Sequence, residues 1–317
     1  MKIKHALSLA LATMLASASF AMIAAPARAA DPVAAAALRA STWLRAQQQP
    51  DGGFSNGFAP GSDAGTTADA VAALAAAGIK AADLRTPAGA TALGYLAGQI
   101  ATGVKPGVAA KVALAVSATG GNPRAFGGHD LLADLAASED ASSGLLGGSV
   151  FAHTLSMLAF ARAGQALPSR ATSALLALQD ASGGWAFAGR GAPDVDTTAL
   201  AALALIANGH SARTGPAGHA LGYLNSLQNQ DGGFPYQSPS DYGTDSNTNS
   251  TALVALAHIA SGDQPESWFR PGGLNALGHL VTAQLPSGAM SYQGAYPDAS
   301  VLATIGALPA LVRQNLR

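Results

Sequence analysis

The chain has 317 residues, 17 of them basic and 18 acidic, with no cysteine, 11% charged residues and 49% hydrophobic residues. The missing cysteines exclude disulfides and any zinc site or nucleophile that depends on a thiolate, and the lack of a basic excess excludes a nucleic-acid partner. The charged share is well under the usual one of about 25%, and the apolar part is mostly Ala, Leu and Val, a composition for closely packed helices.

The first element is a leader. Lys2, Lys4 and His5 precede an apolar run from Ala6 to about Ile23, followed by Pro26 and the small-x-small sequence Ala27-Arg28-Ala29. This pattern predicts a cleaved export signal over residues 1–29, and a secreted or periplasmic protein. Loss of Lys2, Lys4 and Arg28 lowers the basic count from 17 to 14 against 18 acidic residues. The mature chain, 30–317, is read as one domain. It has no further apolar run able to span a bilayer.

Beyond the leader, a glycine turn recurs: Asp51-Gly52-Gly53-Phe54, Ser143-Gly144-Leu145, Ser182-Gly183-Gly184-Trp185, Asp231-Gly232-Gly233-Phe234 and Ser287-Gly288-Ala289-Met290, with a degenerate copy at 103–107. A helix ending in glutamine precedes each strong copy, as in Leu224-Asn225-Ser226-Leu227-Gln228. A polar loop and a Thr-rich helix start follow: Thr66-Thr67, Thr197-Thr198 and Asn249-Ser250-Thr251. Repeats of this length are helix pairs. The second helix of each pair is apolar all round, and such a helix is buried all round. The first is amphipathic. The expectation is an all-α fold: about six helix pairs closed into an (α/α)6 toroid, six inner helices ringed by six outer ones.

These turns, each leading into an Asp/Asn-Thr-Ala helix start, resemble the α/α-toroid repeats of terpenoid cyclases and protein prenyltransferases. The zinc-dependent prenyltransferase and thioester branches need a cysteine that this chain lacks. Gly183-Gly184-Trp185-Ala186-Phe187 followed by Pro193-Asp194-Val195-Asp196-Thr197-Thr198-Ala199 resembles the active-site repeat of squalene-hopene-type cyclases. That resemblance implies a proton-donating acid at Asp196, supported by Asp194, with Trp185 and Phe187 in the pocket wall. Thr197 stands where the family's last Asp belongs, as in some drimane-type cyclases. The C-terminal third, with Asp245 to Leu253 and Ala303 to Ala310, resembles exported bacterial relatives of intrinsic factor and transcobalamin, which implies a cobalamin-like ligand. No other cofactor is indicated, and no spacing resembles a calcium loop.

In such a ring the inner helices all start at one mouth, where their free N–H groups and partial positive charges gather. The expected ligand-binding residues there are His153, Trp185, Phe187, Tyr236, Asp245, Asn247, Asn249 and Tyr292. Each has a plainer reading: Asp196 as a helix cap, His153 as a hydrogen-bonded packing residue, the aromatics as packing. The leading expectation is an exported, non-catalytic toroid that binds a small molecule, a lipid or a partner at this mouth. The alternative is a protonation-initiated terpenoid cyclase using Asp196. A third reading is a carbohydrate-active lyase or hydrolase pairing Asp194 or Asp196 with Asp245.

Overall fold

A computed structural model describes residues 31–315. The predicted leader lies outside them. Twelve α-helices lie among the described residues. The odd-numbered ones form the outer layer: α1 (Pro32–Arg45), α3 (Ala92–Thr102), α5 (Leu131–Ala137), α7 (Ala171–Leu176), α9 (Gly215–Ser226) and α11 (Ala276–Thr282). The even-numbered ones line the centre: α2 (Ala64–Ala76), α4 (Pro106–Ala118), α6 (Val150–Arg162), α8 (Val195–Ala207), α10 (Thr248–Ser261) and α12 (Val301–Leu311). Each inner helix packs on the next, from α2 round to α12, and α12 packs on α2, which closes the ring. None of these helices is long and apolar enough to cross a membrane.

The repeat motif acts as a set of bolts. After four of the six outer helices a glutamine donates its side-chain amide twice: to the glycine of its own turn and to a carbonyl in the next outer helix or the segment leading into it. Gln48 reaches Gly52 and Leu84 (2.8 and 3.1 Å), Gln179 reaches Gly183 and Pro216 (2.8 and 2.8 Å), and Gln228 reaches Gly232 and Trp268 (3.1 and 3.1 Å). Gln284 makes the same bonds to Gly288 and to Ala36 of α1 (3.0 and 2.8 Å). The contact that joins one repeat to the next therefore also joins the last to the first.

A second bolt runs from the turn to the inner helix. In four of the six repeats, a threonine four residues after the N-cap accepts through its hydroxyl the backbone N–H of the residue that follows the turn. Thr67 accepts from Phe54 at 2.8 Å, Thr198 from Trp185 at 2.9 Å, Thr251 from Phe234 at 3.0 Å and Thr304 from Met290 at 2.9 Å. In the third repeat His153 takes this place, its Nδ1 accepting from Leu146 N–H at 2.9 Å. These donors are buried, and a buried donor without a partner costs about 1–3 kcal/mol. Thr198→Val keeps the shape and removes the acceptor, so urea unfolding should show a loss of about 1–3 kcal/mol.

The helix starts differ in one respect from the expectation. Asp194, not Asp196, caps α8: its Oδ1 accepts Thr197 N–H at 2.7 Å. Asp63, Ser149, Asn247 and Ser300 cap α2, α6, α10 and α12 in the same way. Asp196 is thus released from capping. The last loop departs from an all-helical chain as a short antiparallel hairpin, β1 (Met290–Gln293) and β2 (Tyr296–Ser300), turned at Gly294-Ala295.

Candidate functional site

Parallel inner helices with equivalent N-caps present equivalent positions to the axis. Two residues past the caps stand Phe151, Asp196, Asn249 and Leu302. Six past them stand Asp69, Lys111, Leu155, Leu200, Leu253 and Gly306, and nine past them Ala72, Leu114, Leu158, Leu203, Leu256 and Pro309. All of these line one central cavity of about 370 Å³. That lies within the range of small-molecule pockets, about 300–1,000 Å³. Ala118, Arg162 and Gln314 line its other end. Arg162 has no ion pair among the described residues. At 1.5 Å per residue, the eleven residues separating the levels of Asp196 and Arg162 make the cavity roughly 16 Å deep. Its wall is mainly apolar, with leucine the commonest residue.

Asp196 sits at the N-terminal end of this cavity, where six helix starts meet. Its Oδ1 accepts the Ser250 hydroxyl at 2.5 Å. Enclosure in the apolar ring pushes its carboxyl up to about 7, opposed by the Ser250 hydrogen bond and aided by the nearby Asp194 charge. Burial of this kind favours the neutral acid. A value near 7 leaves a large fraction of Asp196 protonated near neutral pH, the condition for a general acid.

The structure separates the other expected residues. Asp194 is 2% exposed. Its Oδ2 also accepts Phe187 N–H at 2.8 Å, so it ties the loop to α8 instead of facing the cavity. Phe187 is half exposed at the mouth, with its ring 6.1 Å from that of Phe151. Tyr236 and Tyr292 stand near Asp196, and both hydroxyls are pushed up, by burial first and then by nearby acidic groups, that of Tyr236 to about 12. Asn249 lines the cavity, and its Oδ1 has no hydrogen-bond partner among the described residues.

Four expectations are corrected. His153 is fully buried between Leu146 N–H and the Ala171 carbonyl (2.9 Å each), which leaves neither ring nitrogen for a ligand. Trp185 is fully buried in the wall, its indole N–H on the Leu175 carbonyl at 2.8 Å. Asn247 is spent on capping α10 through Ser250 N–H. Asp245 is exposed and lines an outer groove with Asp231 and His279, so it forms no carboxyl pair with Asp194 or Asp196.

Polar cavity residues were missed: Arg162 and Gln314 at the far end, and Asp69 and Lys111, an ion pair at 2.5 Å. The pair's signal was available. Each of Asp69 and Lys111 is the only charged residue of its inner helix, Ala64–Ala76 or Pro106–Ala118.

The fold has solved counterparts. A variant of the type II terpene cyclase MstE from Scytonema, in complex with its substrate geranylgeranyl dihydroxybenzoate, is 18% identical with a TM-score of 0.63, covering 89% of this chain and 97% of its own. A protein from Actinoplanes is 17% identical with a TM-score of 0.64, covering 89% and 99%. A glycosidase in complex with glucose is 12% identical with a TM-score of 0.58, covering 88% and 96%. At these identities the likeness is one of fold. No curated protein matches. The model of the prenyltransferase alpha-alpha toroid domain matches residues 9–98 and 135–269. Ring, repeat and match agree: the chain belongs to the prenyltransferase alpha-alpha toroid domain family.

Proposed function

We propose that this protein is a type II, protonation-initiated isoprenoid cyclase with Asp196 as its general acid. The observation that carries the reading is a carboxyl pushed up to about 7 in the wall of a cavity lined mainly by apolar residues. The larger, apolar part of this wall suits a hydrocarbon chain. Fold likeness to MstE supports the reading. The neighbour's substrate joins a polyprenyl chain to a polar head. A chain of that kind has its counterpart here in a roughly 16 Å cavity with Asp196 at one end and Arg162 and Gln314 at the other.

In the reaction, Asp196 gives its proton to a carbon–carbon double bond, and a C–H bond forms. Ser250 keeps its hydrogen bond to Oδ1 and takes up the developing carboxylate charge. Asp194 raises the cost of charging Asp196 before the proton leaves. Phe151 lines the cavity beside Asp196 and offers its ring to the cation. The apolar wall excludes water that would quench it. The leader read at residues 1–29 goes with export, where a polyene drawn from a membrane is at hand and cytosolic prenyl diphosphates are not.

The test is incubation of the purified protein with squalene and with geranylgeraniol, followed by mass spectrometry of the extracted products. The reading expects cyclised isomers of unchanged mass. Because the acid must be protonated, kcat/KM should be flat below about pH 7 and fall about tenfold per unit above it. A second reading, a non-catalytic carrier of an apolar ligand, draws on the small aromatic share of the cavity wall, Phe151 alone among many aliphatic residues. It expects retained ligand, no product and no effect of Asp196.

A further inference from the structure

The Asp69–Lys111 pair breaks the pattern of the ring. At the same depth the neighbouring inner helices carry Leu155, Leu200, Leu253 and Gly306. Folding does not ask for charges there. Moving both groups out of water is costly, and replacing a buried ion pair by well-packed apolar residues is often neutral or stabilising. The two side chains still reach the cavity, with 33% of Asp69 and 23% of Lys111 exposed to it. In ring order, α2 and α4 stand across from α8 and α10. The pair thus faces Asp196 and Asn249 over the cavity, four residues or about 6 Å deeper.

A protonating cyclase needs a proton sink as well as a source. We propose, resting on the cyclase reading above, that Asp69 is the base that takes the closing proton and that Lys111 is the positioning residue that keeps Asp69 ionised. Lys111 Nζ donates to Oδ2 of Asp69 at 2.5 Å. Oδ1 takes no hydrogen bond from the described residues and is left for the ligand. The Lys111 ammonium lies 5.8 Å from the centre of the Phe151 ring, which shields part of its charge from a cation in the cavity. Burial raises the proton affinity of the Asp69 carboxyl while the Lys111 charge opposes that rise.

The step balances without a co-reactant. Asp196 protonates one double bond and becomes a carboxylate. A neighbouring double bond attacks the cation, and a ring C–C bond forms. A C–H bond beside the final cation then breaks. Its electron pair becomes the new double bond, and its proton goes to Oδ1 of Asp69. The proton returns to Asp196 through solvent after product leaves, drawn by the unpaired Lys111 ammonium on one wall and the Asp196 carboxylate on the other.

The experiment compares wild type, Asp69→Asn, Asp196→Asn and the double variant Asp69→Leu/Lys111→Leu. Products from geranylgeraniol and squalene are read by mass spectrometry and NMR. The inference expects Asp69→Asn and the double variant still to consume the polyene, with the wild-type alkene at least tenfold reduced in favour of alcohols and isomeric alkenes. Asp196→Asn should consume none. A second readout needs no turnover: binding of protonated N,N-dimethyldodecylamine, a hydrocarbon chain with a fixed positive end. Both Asp69 variants should bind it at least tenfold more weakly, with dodecanol binding unchanged. If the double variant matches wild type in product and amine affinity, the pair is structural and the inference falls, while the loss in Asp196→Asn leaves the cyclase reading standing. If wild type makes no product from either polyene, the cyclase reading fails and takes this inference with it.

Discussion

The Asp196→Asn protein is expected to lose cyclisation by about 10⁴-fold, because nothing else in the cavity can supply the first proton. General acids typically contribute about 10²–10⁴-fold, and a step that cannot start without its proton stands at the upper end. Here the wall near Asp196 is leucine, phenylalanine and asparagine, and the other cavity carboxyl, Asp69, is paired with Lys111. Asparagine keeps the volume and can still accept the Ser250 hydrogen bond, so the fold should persist. The stability of the variant is itself a check. The folded value of Asp196, about 7, lies above its ordinary value of 3.8. Its contribution to stability is therefore full below about pH 4 and is lost as pH rises toward 7. Asparagine carries no such dependence. Wild type and variant should match near pH 4, and the variant should be the more stable by about 2–4 kcal/mol near pH 8. Urea unfolding at the two pH values reads this. A variant that keeps its activity, or one that is unfolded at pH 4, contradicts the assignment.

The second large effect concerns ring closure. Gly288 has φ of +94°, and a Cβ there would lie 2.7 Å from the Arg39 carbonyl oxygen of α1. Gly183, inside the ring, has φ of +95°, with the His219 carbonyl oxygen 2.7 Å from the same imagined Cβ. Any side chain at either position takes a backbone conformation unfavourable to L-residues and meets a carbonyl. A closed ring makes the two sites equivalent: Gly288→Ala and Gly183→Ala should each cost about 3 kcal/mol, a fall in Tm of roughly 5–10 °C for a chain of this size. Differential scanning calorimetry compares them. In an open stack the Gly288 site would be a free end, and its substitution would cost much less than that at Gly183.

The ring was legible because its causes are local and repeated. Gln48, Gln179 and Gln228 recur before paired glycines, and Thr67, Thr198 and Thr251 recur behind them, so the hydrogen bonds between layers are written in the sequence itself. The site was legible only in part. Asp196 and Asn249 were found because they sit just inside helix starts. Asp194 and Asn247 look alike in sequence, but an N-cap faces the backbone while the residue two further on faces the axis, a distinction of angle that motif spacing does not carry. His153 was misleading for a related reason. It fills the threonine position of its repeat, and only alignment of the repeats by their caps reveals that its partner is Leu146 N–H. Asp69 and Lys111 lie 42 residues apart and meet only because adjacent repeats pack side by side. Trp185, expected in the pocket, is turned outward by its indole bond to Leu175.

Everything proposed for this cavity depends on Asp196 being a neutral acid when the protein meets its substrate. The direct measurement is a carbon-13 carboxyl NMR titration of the labelled protein, with Asp196 assigned by its absence from the Asp196→Asn spectrum. The account predicts a midpoint near 7. A midpoint near 4, the ordinary aspartate range, would mean that Asp196 is ionised in the cavity and has no proton to give.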